Sequence, residues 1–363
     1  MSKTKRHCGT MENHFHAVDS ERGYPNRRRQ IETKRIWDRV RDDNRVVTIP
    51  VVVHIVYNKA SENISESQIK KQIEILNEDF RARNSDRKKT PKNFKQLIAD
   101  ARIEFALADT NPSGEATSGI IRTKTSIKSF PKAKVPSGKS NTPYIEAELK
   151  RKDTGSAAWP NDDYLNIWVC NMNFDPLGFA TFPGASSWRD GVVVDVKCFG
   201  VSKKNNKNFN KGRTCTHEVG HYLDLIHIWG DGGNSCNRSD NVNDTPNQQK
   251  ENYGKPKYPS VSCKNGPDGD LFMNYMDYVD DAAMFMFTKG QVKRMRSSLF
   301  GVRSSLLSSS GLGGGAERTD FAGLLSQNIK NSLGSTNGMY FDGVDWVNRK
   351  SILQSSKSYG DRK

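Results

Sequence analysis

The run "VVTIPVVVHIVY", residues 46–57, is dense in β-branched residues and lacks helical spacing, which predicts a buried strand. Beyond it, "SESQIKKQIEILNEDFRARN" sets Ile69, Ile73, Leu76 and Phe80 on one helical face, with Ser65 as N-cap. "ARIEFALADT" reads as a second strand, followed by a Gly/Pro/Ser turn and "GIIRTKT". Residues 131–163 show no period, and "YLNIWVCNM" and "DGVVVDVKCFG" are further strands. "LGFATFPG" reads as a strand near a sheet edge, because Pro183 ends its ladder. "GRTCTHEVGHYLDL" predicts a helix, residues 230–270 long polar loops, and the segment from Thr288 an amphipathic helix. The first 45 residues are polar, basic and aperiodic, and "SSSGLGGGAE" has the composition of a flexible linker. The tail after it suggests no role, and no internal repeat is visible.

At 363 residues the chain holds one large domain with appendages, or two domains. The formal charge of +15 raises nucleic-acid binding, but the Lys and Arg residues are spread out and no RNA-binding or helix-turn-helix signature occurs. A basic solvated surface is therefore expected and nucleic acid is not. No apolar run reaches the about eighteen residues of a membrane span. "MSKTKRHCGT" lacks the apolar stretch of a signal peptide, so either an export signal is missing from the chain or it stays inside the cell. None of the six cysteines forms a C-x-x-C pair, which argues against a zinc ribbon. Cys236 and Cys263 lie in polar loop segments, where a disulfide would staple loops in an oxidising compartment. Cys170, Cys198 and Cys215 lie in apolar runs or at the start of the helix and read as buried thiols, with any pairing of Cys170 and Cys198 left open.

The chemistry concentrates in "HEVGHYLDLIH", residues 217–227. Positions four apart share a helix face, so His217 and His221 can hold one cation between their imidazoles. Glu218 is rotated away from that face, where a carboxylate can take a proton from a water the metal has acidified and pass it to a leaving amine. His227 supplies a third ligand at the spacing of the extended motif H-E-x-x-H-x-x-G-x-x-H. Asp240 competes for that role, about nineteen residues past His221, but its surroundings form a poor helix. The oxygen-rich loop around Asp240 and Asp244 suits calcium better than zinc.

Asp224 replaces the motif's glycine. A continued helix would carry His227 away from the other two, so the histidines converge only if the helix ends near residue 224 in a left-handed turn. Asp is among the residues that tolerate this turn, at about 1 kcal/mol. The reading makes Asp224 a turn residue and not a ligand. Its carboxylate then serves nearby backbone amides or tunes His227. Farther along, "FMNYMDYVDD" carries Met276 in an apolar run, which taken alone reads as core packing, with Tyr278 two residues on.

With "HEVGHYLDLIHIWGD", "DNVNDTP", "MNYMDYVDDAAMFMFTKGQ", "YLNIWVCN" and "LGFATFPG" in view, the chain resembles the pappalysin family of metzincin metallopeptidases, especially its prokaryotic members. The resemblance spans about residues 46–311. It implies an α+β fold: a twisted mixed five-stranded sheet, an active-site helix beneath it, and an irregular C-terminal subdomain. It implies zinc on His217, His221 and His227, Glu218 as general base, Tyr278 stabilising the tetrahedral intermediate and Met276 as the Met-turn. Leu177, Gly178, Phe179 and Ala180 would form the rim strand that pairs with an extended protein or peptide substrate. Calcium would sit at Asp240, the Val242 carbonyl, Asp244 and Thr245, and Cys236 and Cys263 match a disulfide of that region. The preference of the family's prokaryotic members for cutting before Arg or Lys makes Asp268 and Asp270 candidates for an acidic pocket.

"KRHCGT" resembles the family's latency segment, with Cys8 placing sulfur on the zinc of the latent form. The implied organisation is a prosegment at 1–45, a catalytic domain at 46–311 and a linker and tail at 312–363. A protease that cuts before Arg would release its prosegment at Asn44–Arg45. The expected protein is a secreted zinc endopeptidase made as a latent zymogen. The alternative is a non-catalytic or weakly active binding module with the same fold, against which the retained Glu218 argues.

Overall fold

The structure is a computed structural model that describes residues 5–33, 44–130, 145–173, 175–231 and 234–313, with the backbone of 339–341 and 346–348. Strand β1 (Val47–Tyr57) is the axis of the sheet. β2 (Ile103–Leu107) and β3 (Ile120–Lys124) pair in parallel with successive lengths of one side of β1, and β4 (Leu165–Cys170) pairs in parallel with the other. β6 (Val192–Asp195) continues the parallel order, and β5 (Gly178–Ala180) closes the edge antiparallel to β6. Because β2 and β3 share one flank of β1, the six strands fill five positions in a mixed sheet, as expected. Helices and loops cover both faces, which explains the nearly continuous apolar spelling of β1.

The period of two sorts the core. Ile49, Val51, Val53 and Ile55 face one cluster with Ile69, Ile73, Leu76 and Phe80 of α3 (Glu66–Phe80). Val52 and Val56 face the opposite side, where Val56 joins Trp168 and Phe179. Ser65 caps α3 by accepting from the Gln68 amide, and α5 (Arg213–Tyr222) packs beside α3. α6 (Lys289–Phe300) begins at Thr288, whose hydroxyl and the Gln291 side chain form a reciprocal cap.

Two expectations change. The aperiodic N-terminal segment forms α1 (Thr10–Ser20) and α2 (Tyr24–Thr33). Their buried positions, Thr10, Asn13 and Ala17, then Tyr24, Arg28 and Ile31, do have helical spacing. That stripe is mostly polar and is satisfied by tertiary hydrogen bonds, so it leaves no hydrophobic signature. Within the stretch expected to be irregular, Ile145–Leu149 forms the short helix α4, while 131–144 lie outside the described residues. Residues 34–43, ahead of the expected cut, also lie outside them, as does the tail apart from an antiparallel pairing of β7 (Met339–Phe341) with β8 (Trp346–Asn348).

Cys236 and Cys263 form a disulfide with Cα atoms 5.3 Å apart, while Cys8, Cys170, Cys198 and Cys215 are buried thiols. Among the described residues no helix is long and apolar enough to cross a membrane.

Candidate active site

α5 is buried along its whole length and stops at Tyr222. The chain then reverses: the Leu225 amide bonds the Gly220 carbonyl, and Asp224 takes φ +78°, the left-handed turn expected of it. The reversal brings His227 back to the helix. The Nε2 atoms of His217, His221 and His227 stand 3.1–3.2 Å from one another. Each ring is turned by an acceptor at Nδ1: the Tyr275 carbonyl for His217 and the Leu225 carbonyl for His221, both at 2.7 Å, and the Asp231 carboxylate for His227 at 2.5 Å. With Nδ1–H donating outward, three Nε2 lone pairs point at one centre. Burial and the neighbouring imidazoles hold His217 well below its ordinary pKa, and burial does the same for His221. Three imidazoles whose Nε2 lone pairs face one another that closely repel unless a cation lies between them, and nitrogen donors of this kind fit zinc.

Asp231 is a partner that the sequence reading does not name; its only signal there is a carboxylate four residues after His227. The Asp224 carboxylate, in contrast, serves neither backbone amides nor His227. It accepts from Arg28 of α2 at 2.7 Å and from Arg294 of α6 at 3.1 Å, with no exposure.

Met276 is fully buried beneath the histidines, its amide held by Asn274 and its carbonyl by Ile228. A Cβ on Gly220 would lie 2.6 Å from the Met276 sulfur, so any larger residue there would push the methionine side chain aside. The Tyr278 ring stacks edge-on against His227, and its hydroxyl accepts from the Cys8 amide.

The N-terminal segment lies across the site. Leu177 N–H donates to the His7 carbonyl and Gly9 N–H to Gly178, each at 2.9 Å, so residues 7–9 pair in parallel with the edge strand. Cys8 Sγ and the three histidine nitrogens all lie within 4.8 Å of one another. The thiol also donates to Glu218 Oε2 at 3.2 Å, and the Thr10 hydroxyl donates to the same oxygen at 3.0 Å. Burial pushes the Glu218 carboxyl up to about 7, against the pull of those two bonds. Burial, then the Glu218 charge, pushes the Cys8 thiol well up. A Cβ on Gly178 would come within 2.9 Å of Glu218, which explains the glycine there.

Arg6 enters a separate recess. Its guanidinium bonds Asp281 at 2.6 Å, Thr214 Oγ1 and the Val279 carbonyl, and lies over the Phe209 ring. The carboxylates anticipated for an acidic pocket are engaged elsewhere. Asp268 contacts Asn93 and Tyr258, and Asp270 accepts from Ser262, Asn265 and Asn252, which braces the loop. In the anticipated calcium loop, Asp240 Oδ1 accepts from the Val242 amide and the Thr245 hydroxyl, which also reaches the Val242 carbonyl. Asp244 instead caps α6, accepting from Thr288 Oγ1 and the Gly290 amide.

A helix-borne H-E-x-x-H closed by a left-handed turn, a third histidine and a buried methionine turn beneath define the metzincin class of metallopeptidases. The family model described as "Pregnancy-associated plasma protein-A", Peptidase_M43, matches residues 148–300. Mature mirolysin of Tannerella forsythia, solved with a cleaved peptide, is 47% identical, with a TM-score of 0.66 over 72% of this chain and 96% of that one. A promirolysin mutant of the same organism is 42% identical, with a TM-score of 0.73 over 84% and 97%. An extracellular metalloprotease of Arthroderma benhamiae is 28% identical over 69% of this chain and 77% of its own length. The chain belongs to the pappalysin family of metallopeptidases, and it is a metalloprotease.

Proposed function

We propose that the chain is a secreted zinc endopeptidase, made as a latent zymogen, that hydrolyses peptide bonds before Arg or Lys. The observation that carries this reading is the meeting of Cys8 Sγ with the Nε2 atoms of His217, His221 and His227, while Glu218 is occupied by Cys8 and Thr10. The three histidines would hold zinc, which when bound supplies water acidification and carbonyl polarisation. Glu218, freed of Cys8, takes the proton of the attacking water and delivers it to the leaving amine. The Tyr278 hydroxyl, freed of the Cys8 backbone, donates to the oxygen that gains charge. The edge strand Leu177–Ala180 holds an extended substrate through its main chain, on the edge that residues 7–9 now occupy but in the opposite chain direction.

The preference for a basic residue is supported by Arg6. A guanidinium at Asp281, beside the metal centre, is what a substrate arginine would present, so Asp281 replaces Asp268 and Asp270 as the pocket carboxylate. Residues 1–45 act as the prosegment, with self-release at Asn44–Arg45. Calcium at the Asp240 loop is supported by Asp240 Oδ2, which is buried with no hydrogen-bond partner.

The test is cleavage of a peptide with a central Arg by the full chain after activation, with and without chelator, alongside zinc stoichiometry. Chelator-insensitive cleavage, or none, would remove the reading. An active form whose N-terminus lies far from residues 36–48 would remove the self-release step.

A further inference from the structure

Beyond Cys8 from Arg6, at the Ala180 end of the edge strand, α1 inserts one side chain into a pocket that the chemistry above does not use. Asn13, 1% exposed, is held at every polar atom. Its Nδ2 donates to Glu146 Oε1 at 3.0 Å and to the Ala180 carbonyl at 3.1 Å, and its Oδ1 accepts from Arg189 Nη2 at 2.6 Å. Glu146 and Arg189 belong to the catalytic domain and are themselves buried. They are locked together by an Arg189 Nε–Glu146 Oε2 bond of 2.7 Å, and Lys150 pins both, through Glu146 Oε1 and the Arg189 carbonyl. Lys150 in turn lies over the Trp168 ring, so the pair is anchored on the core, and Arg189 Nη1 also meets Glu21 Oε2 at the end of α1, at 3.4 Å.

We propose that Glu146 and Arg189 form a substrate subsite, exposed once the prosegment leaves, that reads a side-chain carboxamide on the residues preceding the scissile bond. The inference rests on the protease reading above. Arg6 fills the Asp281 recess on one side of Cys8, and Asn13 lies on the other. A substrate whose basic residue follows the cut and enters the Asp281 recess therefore runs its preceding residues past Ala180. There the Ala180 amide and carbonyl, now taken by Thr10 Oγ1 and Asn13 Nδ2, become available to the substrate main chain.

The pair presents one acceptor, Glu146 Oε1, and one donor, Arg189 Nη2, separated by the width of an amide. A carboxamide satisfies both. A carboxylate sets like charge against Glu146, an ammonium sets like charge against Arg189, and a hydrocarbon leaves two buried polar groups unpaired. Asn and Gln are thus the side chains that fit.

The experiment uses full chain activated by limited trypsin treatment and a set of peptides with a fixed Arg after the cut. Each of the three preceding positions is varied in turn through Asn, Gln, Asp, Glu, Leu and Lys. At one position, Asn or Gln is expected to exceed Leu, Asp, Glu and Lys by about tenfold or more in kcat/KM. Arg189→Lys, which keeps the charge but removes the Nη2 donor, should shrink that margin, read as the ratio of the carboxamide peptide to the Leu peptide within the same variant. If the variant does not fold, the peptide series with the parent protein still decides. Efficient cleavage with no position reaching that margin overturns the carboxamide subsite and leaves the protease reading standing. Failure to cut any of the Arg peptides with zinc present overturns both.

Discussion

Arg28 and Asp224 meet as a buried ion pair 2.7 Å apart, tying the N-terminal segment to the turn that ends the active-site helix. Arg28 also donates to the Pro183 carbonyl and covers the Phe182 ring, whose edge meets His221. The aspartate that stands where the motif has glycine is thus a docking point on the side away from the metal. Arg28→Ala should shorten latency: Arg294 still holds Asp224, so the loss is about 2 kcal/mol, roughly a 30-fold gain in released segment. The rate at which full chain becomes active on a peptide reads this directly. Asp224→Asn should keep stoichiometric zinc, since Asn tolerates the left-handed turn, while activating faster in the same assay.

Cys8→Ala removes the sulfur from the metal centre and one of the two donors to Glu218. Full chain carrying it should cleave peptide without a lag, while Arg6 and Arg28 still retain part of the segment on the domain. A lag equal to that of the parent protein would show that Cys8 does not set latency.

Glu218→Ala should lower kcat roughly a thousandfold or more while zinc stays bound, because the carboxylate moves protons and the three histidines hold the ion. Metal analysis beside the peptide assay separates these two roles.

Asp281→Asn keeps the shape of the recess and removes its charge. The kcat/KM for an Arg peptide should fall about a hundredfold, with cleavage of an otherwise identical Leu peptide little changed. The same substitution should weaken Arg6 and hasten activation.

His54 lies in β1, away from the metal, between Ser156 and Asn166, and burial pushes its pKa down to about 4. A base depressed in the folded state is protonated more readily by the unfolded chain. Its contribution is therefore intact above the unfolded pKa of about 6.5 and is lost as pH falls toward about 4. Between about pH 7 and about pH 5 the loss amounts to about 2 kcal/mol. Urea unfolding of parent and His54→Gln proteins at the two pH values should show the smaller drop in the variant.

Much of this protein is decided within short windows of sequence. The spacing of Val51, Val53 and Ile55, and that of Ile69, Ile73, Leu76 and Phe80, specifies β1 and α3, because burial repeats with the period of the backbone. His217, Glu218 and His221 are legible for the same reason, and Asp224 could be read as a left-handed turn because His227 returns to the helix in no other way. Other features depend on partners far apart in the chain. Asp231 becomes a partner of His227 only after the turn is made. Arg6 finds Asp281 across 275 positions, and Asn13 finds Glu146 across 133. α1 and α2 bury Thr10, Asn13 and Arg28, residues that count as surface by composition and go inside only because the domain supplies their hydrogen-bond partners. Local periodicity determined the main strands, the helices α3, α5 and α6, and the metal motif. Tertiary structure alone decided which charges and amides meet, because a buried polar group is stable only beside a partner that the rest of the fold brings to it.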